Sequence, residues 1–255
     1  MKSDSSRWHP VSDSDHRHEE EGLARVREVL PERPPFHAWT NFEFTDGRNH
    51  WAECDLLVLA PAGLFLVELK HYQGVIRGNA YTWRRGNRSE PSPLIATRRK
   101  AQRLASVLKD AAHDLKIPQQ YVPWVDAAVL LHAADSSAQL DAGADEGIWG
   151  LDGRENISHL PGISKLFTRA PQQPVNEQAV LAMIDKAGFA QRREREVGSW
   201  RLVGPAEDVG EGVQDRKAEH RLTYDPARIR FYLVPAGTSS KEREAHRALA
   251  RREYT

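Results

Sequence analysis

Apolar residues recur along this chain with two different periods, and the changes of period mark out its elements. Between residues 18 and 30, Leu23, Val26, Val29 and Leu30 return every three to four positions among Glu19, Glu20, Glu21 and Arg25. With Pro31 behind them, they predict a short amphipathic helix. Residues 36–44 (FHAWTNFEF) alternate as a strand does, and Asp46-Gly47 marks a turn. The densest apolar stretch, WAECDLLVLAPAGLFLVELKHY at 51–72, holds two runs separated by Pro61-Ala62-Gly63. Each run is too short for a helix buried all round, so the pattern predicts a hairpin. Leu57 and Leu59 as well as Leu56 and Val58 are apolar, so both faces of its sheet should be covered, as in an α/β fold.

A more polar hairpin over 75–86, turning at Gly78-Asn79, comes next, then a proline-containing loop at 89–93. Residues 94–115 have the helical period, with Ala101, Leu104, Ala105 and Leu108 on one face. Residues 122–133 read as an apolar strand, 148–150 and 156–160 as short ones, and 175–187 as a helix capped by Gly188. This order argues for one mixed α/β domain over 18–188. Residues 1–17, rich in Ser, Asp and His, read as a mobile tail, and 189–198 as a linker. Over 199–255 the texture changes to strands at 200–204 and 229–234, a Gly210-Glu211-Gly212 loop between them, and a polar helix at 239–254. No internal repeat is present.

The length of 255 residues suits one large or two small domains. Lys plus Arg and Asp plus Glu are 36 each, so the net charge of zero excludes a whole-chain polyanion trap but not a local basic stripe. The single cysteine, Cys54, excludes an intrachain disulfide and a thiolate-rich zinc site, and it suits a reducing cytosol. No run approaches the roughly 18 apolar residues of a membrane span. The expectation is a cytoplasmic protein with no membrane partner.

Candidate chemistry centres on the 51–72 hairpin. Glu68 and Lys70 are two apart on one strand and share a face, opposite to Val67 and Leu69. Pairing across the turn sets Asp55 within about one residue of direct opposition to Glu68. Two carboxylates and an ammonium at the end of an apolar sheet cost several kcal/mol each, roughly, if unpaired. They are satisfied if Asp55 and Glu68 share Mg2+, with Mn2+ as substitute, and Lys70 points at the adjacent water or phosphate. The competing reading is a structural ion pair of Glu68 and Lys70, with Asp55 capping the hairpin.

These residues, ECDLLVL, GLFLVELK, Gly74 and the Trp83 strand, resemble the nuclease-related (NERD) domain of the PD-(D/E)xK nuclease superfamily. The resemblance extends over about residues 20–108 and implies a restriction-endonuclease-like mixed sheet flanked by helices, with Mg-dependent DNA cleavage. It also implies a helix acid, Glu20 or Glu21, and a glutamine, Gln102, on a helix led by Pro93-Leu94. Cys54 stands where the superfamily motif has proline. The stretch 199–255 resembles the β-rich start of a kinase-like small lobe, of the diverged kind fused behind NERD domains in BREX and phage-growth-limitation systems. In it Tyr232 stands where the phosphate-pairing lysine would be, and Glu253 near the helix glutamate. No catalytic HRD or DFG is present, so the residues do not make a kinase, and a piece of a longer protein or a split gene is expected.

Arg77, Arg84, Arg85, Arg88, Arg98, Arg99, Lys100, Arg103 and Lys109 cluster after the ELK strand with Glu90 as the counter-charge. Such a stripe would give a phosphate backbone somewhere to lie; the plain alternative is a solvated face. The expected partners are DNA, with RNA left open, other defence-system proteins, and a second copy in a homodimer. A catalytically silent DNA-binding or regulatory module of the same fold is the alternative function. Trp83, His132 and His159 read as core residues, Cys54 as an inert packing thiol, and His16-x-His18 as part of the tail rather than a metal site.

Overall fold

The computed structural model describes residues 1–2, 4–14, 16–46, 51–171, 174–192, 196–210 and 213–232, together with 244 and 248. The chain divides into two units, Met1–Asp13 with His18–Arg192, and Ser14–Arg17 with Arg193–Thr255. The elements run β1 (Trp8–Pro10), α1 (Arg17–Val29), β2 (His37–Thr45), β3 (Trp51–Ala60), β4 (Gly63–Lys70), β5 (Val75–Gly78), β6 (Thr82–Arg85) and β7 (Arg88–Pro91). Then follow α2 (Pro93–Asp114), β8 (Val125–Leu131), β9 (Ser137–Leu140), β10 (Ile148–Trp149), α3 (Glu155–Ser158), α4 (Ser164–Phe167), α5 (Glu177–Ala187) and β11 (Ala190–Gln191). The last four are β12 (Glu196–Val197), β13 (Trp200–Gly210), β14 (Val213–His220) and β15 (Pro226–Tyr232).

In the first unit a mixed sheet runs β1-β2-β3-β4-β8-β10, with β11 also pairing β2. Strands β2 to β4 form an antiparallel meander, and β8 joins β4 in parallel. Its two faces are buried as the doubly apolar pattern predicts. Leu57, Leu59, Leu64 and Leu66 pack against Leu104 and Leu108 of α2 and Met183 of α5. Leu56, Val58, Phe65 and Val67 pack against Leu23 and Val26 of α1 and Phe167 of α4. The β3–β4 connection is only Pro61-Ala62, and Gly63 follows at φ 135°, where a Cβ would sit 2.9 Å from the Trp124 carbonyl. A side chain there would break the seam between β4 and β8.

A smaller sheet, β7-β6-β5-β9, closes over Ile76, Trp83 and Ala138. The expected loop at 89–93 begins as β7. Its Pro91 is accommodated because β7 is an edge strand. The expected strand at 156–160 is instead the helical turn α3, closed by left-handed His159 at φ 58°. His159 is exposed, not a core residue. The tail expected over 1–17 is pinned among its described residues: β1 pairs in parallel with β2, and the Met1 amine donates to the carbonyls of Arg27, at 2.6 Å, and Leu30. Those carbonyls lie at the end of α1, where helical partners run out.

The second unit contains an antiparallel sheet in the order β12-β13-β14-β15. Strand β14, VQDRKAEH, has no apolar period, which is why the sequence pattern misses it. Of the expected Gly-rich loop, Glu211 and Gly212 lie outside the described residues, as does the helix at 239–254 with Glu253, apart from residues 244 and 248. Among the described residues no helix is long and apolar enough to cross a membrane.

Candidate active site

The β3–β4 ladder pairs Leu56 with Val67 through Ala60 with Gly63, and Asp55 and Glu68 are the next residues beyond its last pair. Asp55 stands at a switch in its own strand. Trp39 and Leu57 face the α2 core, and so do Phe42 and Cys54, so the alternation resets between them. Asn41, buried in β2 at φ 54°, lies at the same level. The reset turns Asp55 to the end of the sheet, where its Oδ2 accepts the Leu69 N–H at 2.8 Å.

Glu68 is 15% exposed and receives two ammonium groups, Lys70 on Oε1 at 2.9 Å and Lys100 of α2 on Oε2 at 2.8 Å. Asp55 Oδ1 accepts from the guanidinium of Arg192 at 2.9 Å. The same guanidinium lies 3.0 Å from Glu19 of α1 and 3.3 Å from Glu53 of β3. Helix α1 comes this close to the sheet because position 22 is glycine. A Cβ there would meet Leu69 at 2.9 Å and His132 at 3.0 Å.

Four carboxylates, Glu19, Glu53, Asp55 and Glu68, thus face three cations. Burial, then the nearness of Glu68 and Glu19, pushes the Asp55 carboxyl up to about 7 against the pull of Arg192 and Lys70. Burial also works to raise Glu68, but Lys70 and Lys100 outweigh it and hold the carboxyl below its ordinary range. Both lysines, opposed by burial, are kept charged by Glu68. A ring cluster adjoins the site: His71 lies 4.9 Å from His18 and 5.0 Å from His132 between centroids. Burial, then His71, His18 and Lys70, pushes His132 down to about 3, so it is a neutral core imidazole.

The structure brings Asp55, Glu68 and Lys70 together and leaves two sequence candidates elsewhere. The helix acid in the cluster is Glu19; Glu20 and Glu21 are exposed. Gln102 is exposed and lines a different cleft, with Arg98, Trp124, Asp126 and Arg169. The α2 residue that reaches the carboxylates is Lys100. Sequence reasoning counted Lys100 as part of the basic stripe and did not single out Glu19 or Arg192. The only signal for Glu19 was its helical spacing ahead of Leu23 and Val26. Arg192 had none, because it lies 137 residues from Asp55.

The stripe divides by what its members touch. Arg85 is held by Glu90 at 3.1 Å and stacks 3.6 Å over Tyr72, while Arg103 lies 3.6 Å from Asp46. Glu90 is therefore not the sole counter-charge, since Glu68 and Asp46 also serve. Arg77, Arg84, Arg88, Arg98, Arg99 and Lys109 are exposed. Arg77 stands directly across from Arg84, a like-charged pair of the kind that destabilises a bare sheet. Trp83 is fully buried and takes no part in a surface. Cys54 is buried, and burial raises its thiol, as an inert packing group requires.

The donor set at Asp55 and Glu68 is all oxygen, and counted with Glu19 and Glu53 the cluster holds one carboxylate more than cations, which fits a hard divalent cation. Among the described residues no group of three or more His, Cys, Asp or Glu is arranged to hold a metal ion, so such a cation would keep waters.

Residues 14–132 match the model of the nuclease-related domain, NERD. The chain is 30% identical over 254 residues to a protein of Streptomyces coelicolor named probable kinase PglW. The alignment covers 97% of this chain and 16% of that protein, so the chain spans about a sixth of its relative's length. No solved structure matches.

Proposed function

We propose, from the match of residues 14–132 to the nuclease-related domain model, that the first unit is a metal-dependent phosphodiesterase acting on DNA. The observation that carries the proposal is the crowding of Asp55, Glu68 and Glu19 beside Lys70, which leaves Asp55 short of compensating charge. Asp55 and Glu68 would hold Mg2+, which when bound supplies a polarised phosphate and an acidified water. Lys70 is held charged on the Glu68 strand and can orient the attacking water and stabilise charge on the phosphate oxygens. Lys100, on the other Glu68 oxygen, fixes that carboxylate from the helix side.

The exposed arginines Arg77, Arg84, Arg88, Arg98 and Arg99 are proposed to take the phosphate backbone. An anion would relieve the opposed Arg77 and Arg84. The kinase name of the relative and the three-stranded antiparallel run β13-β14-β15 support reading the second unit as the opening of a kinase-like small lobe. The setting that follows is a phage-defence protein in which a nuclease domain precedes a diverged kinase.

A second reading, a silent DNA-binding or regulatory module, draws on one fact. All four oxygens of Asp55 and Glu68 already accept hydrogen bonds from the protein. A cleavage assay with Mg2+ or Mn2+ separates the two. Activity lost in Asp55→Ala and Lys70→Ala supports the enzyme. No activity in the parent chain, with salt-dependent DNA binding retained, supports the silent module.

A further inference from the structure

In the small sheet β7-β6-β5-β9, residues alternate between an inner face, where Ile76 and Trp83 are fully buried, and an outer face open to solvent. The registers set one row across all four strands of the outer face. Gln139 of β9 lies beside Arg77 of β5, Arg77 opposite Arg84 of β6, and Arg84 opposite Ser89 of β7. All four residues are exposed, and the remaining outer positions, Val75, Thr82, Pro91 and Ser137, are uncharged. Glu90, the acid of these strands, faces inward beside Trp83 and is taken by Arg85 at 3.1 Å.

Arg77 and Arg84 are thus a like-charged pair whose Cβ atoms stand about 4.5–5.5 Å apart. The Nε of Arg77 donates to Gln139 Oε1, a neutral acceptor, at 3.0 Å, and Arg84 has no hydrogen bond or ion pair among the described residues. The pair is held in place by its turn. A Cβ on Gly78 would lie 2.1 Å from the Thr82 carbonyl oxygen, so glycine is required where β5 and β6 draw together. Asn79 Oδ1 accepts from the main chain of Tyr81 and of Thr82, each at 2.9 Å. The sheet is also tied to the Glu68–Lys70 end of β4, because residues 71–74 are the whole link to β5. Within that link Tyr72 stacks against Arg85 at 3.6 Å and meets Trp83 edge to face.

We propose that Arg77 and Arg84 together seat a single backbone phosphate of duplex DNA, so that the duplex lies over the outer face of the small sheet, with Gln139 positioning Arg77 and the Ser89 hydroxyl as a further donor. The proposal rests on the DNA reading above and adds where the backbone is fixed and how many phosphates the pair takes. Two opposed guanidiniums with no acid on their face are relieved by an anion between them, and one phosphate offers each an oxygen. Such a contact fixes the position of the duplex without reading its sequence. Arg77 lies at most about 25 Å along the chain from Lys70. One turn of duplex is about 34 Å, so DNA seated on the pair can reach Asp55, Glu68 and Lys70.

The test is the salt dependence of binding of the full chain to a short DNA duplex, in EDTA so that no divalent ion contributes and no cleavage occurs. The slope of log K against log salt counts neutralised phosphates, at about 0.9 for each. The parent, Arg77→Gln, Arg84→Gln and the double variant are compared, each checked for native circular dichroism. Should a glutamine variant fail to fold, threonine, which suits a strand, replaces it at the same position with the same expected slopes. Each single variant should keep a slope close to the parent's, because the remaining guanidinium still neutralises the phosphate, and the double variant should lose about 0.9. A loss of about 0.9 from each single variant and about 1.8 from the double means two separate phosphates, and overturns the shared seat while the DNA reading stands. Slopes unchanged in all three variants place the DNA elsewhere on the protein and overturn the seat alone. Absence of salt-dependent DNA binding in the parent overturns both.

Discussion

Two aspartates, one in each unit, half-buried Asp55 and buried Asp215, sit against arginine at nearly the same distance and stand in opposite electrostatic states. Asp215 of β14 is 2% exposed and accepts from Arg230 Nε at 2.7 Å and Nη2 at 3.0 Å, with Arg228 at 3.7 Å. Its carboxyl is held below the ordinary range, first by the Arg230 hydrogen bonds, with burial opposing and the charges of Arg230 and Arg228 assisting. Asp55 also has arginine at 2.9 Å, but shares that guanidinium with Glu19 and Glu53 and faces Glu68, so its carboxyl is pushed up to about 7. Contact with arginine does not by itself identify a structural ion pair. The ratio of carboxylates to cations around the contact does. Asp215 lies in cation excess and needs nothing further, whereas Asp55 lies in carboxylate excess.

The contrast is sharpest in catalysis. In Mg2+-supplemented DNA cleavage, Asp55→Ala and Lys70→Ala should each lower the rate by about 10²-fold or more, while Asp215→Ala leaves it unchanged. An equal loss from all three would show that the effect is general unfolding.

Stability should separate the residues within the site. Glu68→Gln withdraws the charge that two ammonium groups share and should cost about 2–3 kcal/mol in urea unfolding. Asp55→Asn should have the opposite sign, stabilising the first unit by about 1 kcal/mol near pH 8, because it removes a crowded charge. A destabilisation there would mean that the pairing with Arg192 outweighs the crowding.

The pH dependence follows from the same shift. The folded carboxyl of Asp55 lies near 7, above its unfolded value, so between about 4 and 7 the native state holds a proton that the unfolded chain has released. Stability of the first unit should therefore fall as pH rises through that window, and Asp55→Asn should flatten the slope. Asp215 should act the other way. Its contribution is present above the ordinary carboxylate range and is lost as pH falls through its depressed folded value. The smallest effect is Asp215→Asn at neutral pH, seen as faster amide exchange confined to the β14–β15 ladder.

Much of the first unit was legible because its apolar positions repeat. Leu56 to Ala60 and Leu64 to Val67 announce strands buried on two faces. The short turn limits their register, so the sequence could set Asp55 within about one residue of Glu68, and the ladder is paired from Leu56–Val67 to Ala60–Gly63. The polar strands β9 and β14 and the edge strand β7 lack that signature, since their pairing rests on backbone bonds that any sequence can make. The N-terminal segment was misread for a related reason. Trp8 and His9 carry no period over so short a strand, yet His9 stacks on Trp39 and β1 pairs with β2.

By itself the sequence determined the hairpin and, to within about one residue, its register, and so gathered Asp55, Glu68 and Lys70 toward one end of it, because local spacing and a two-residue turn leave the strands little freedom. Only the tertiary structure decided which other groups join them. Gly22 lets α1 deliver Glu19 instead of Glu21, the pitch of α2 sends Lys100 inward and Gln102 outward, and β11 carries Arg192 across 137 residues to Asp55. The reason is physical. Periodicity specifies which face of an element is buried, while the charge balance of a site depends on which elements meet there, and no local pattern encodes that meeting.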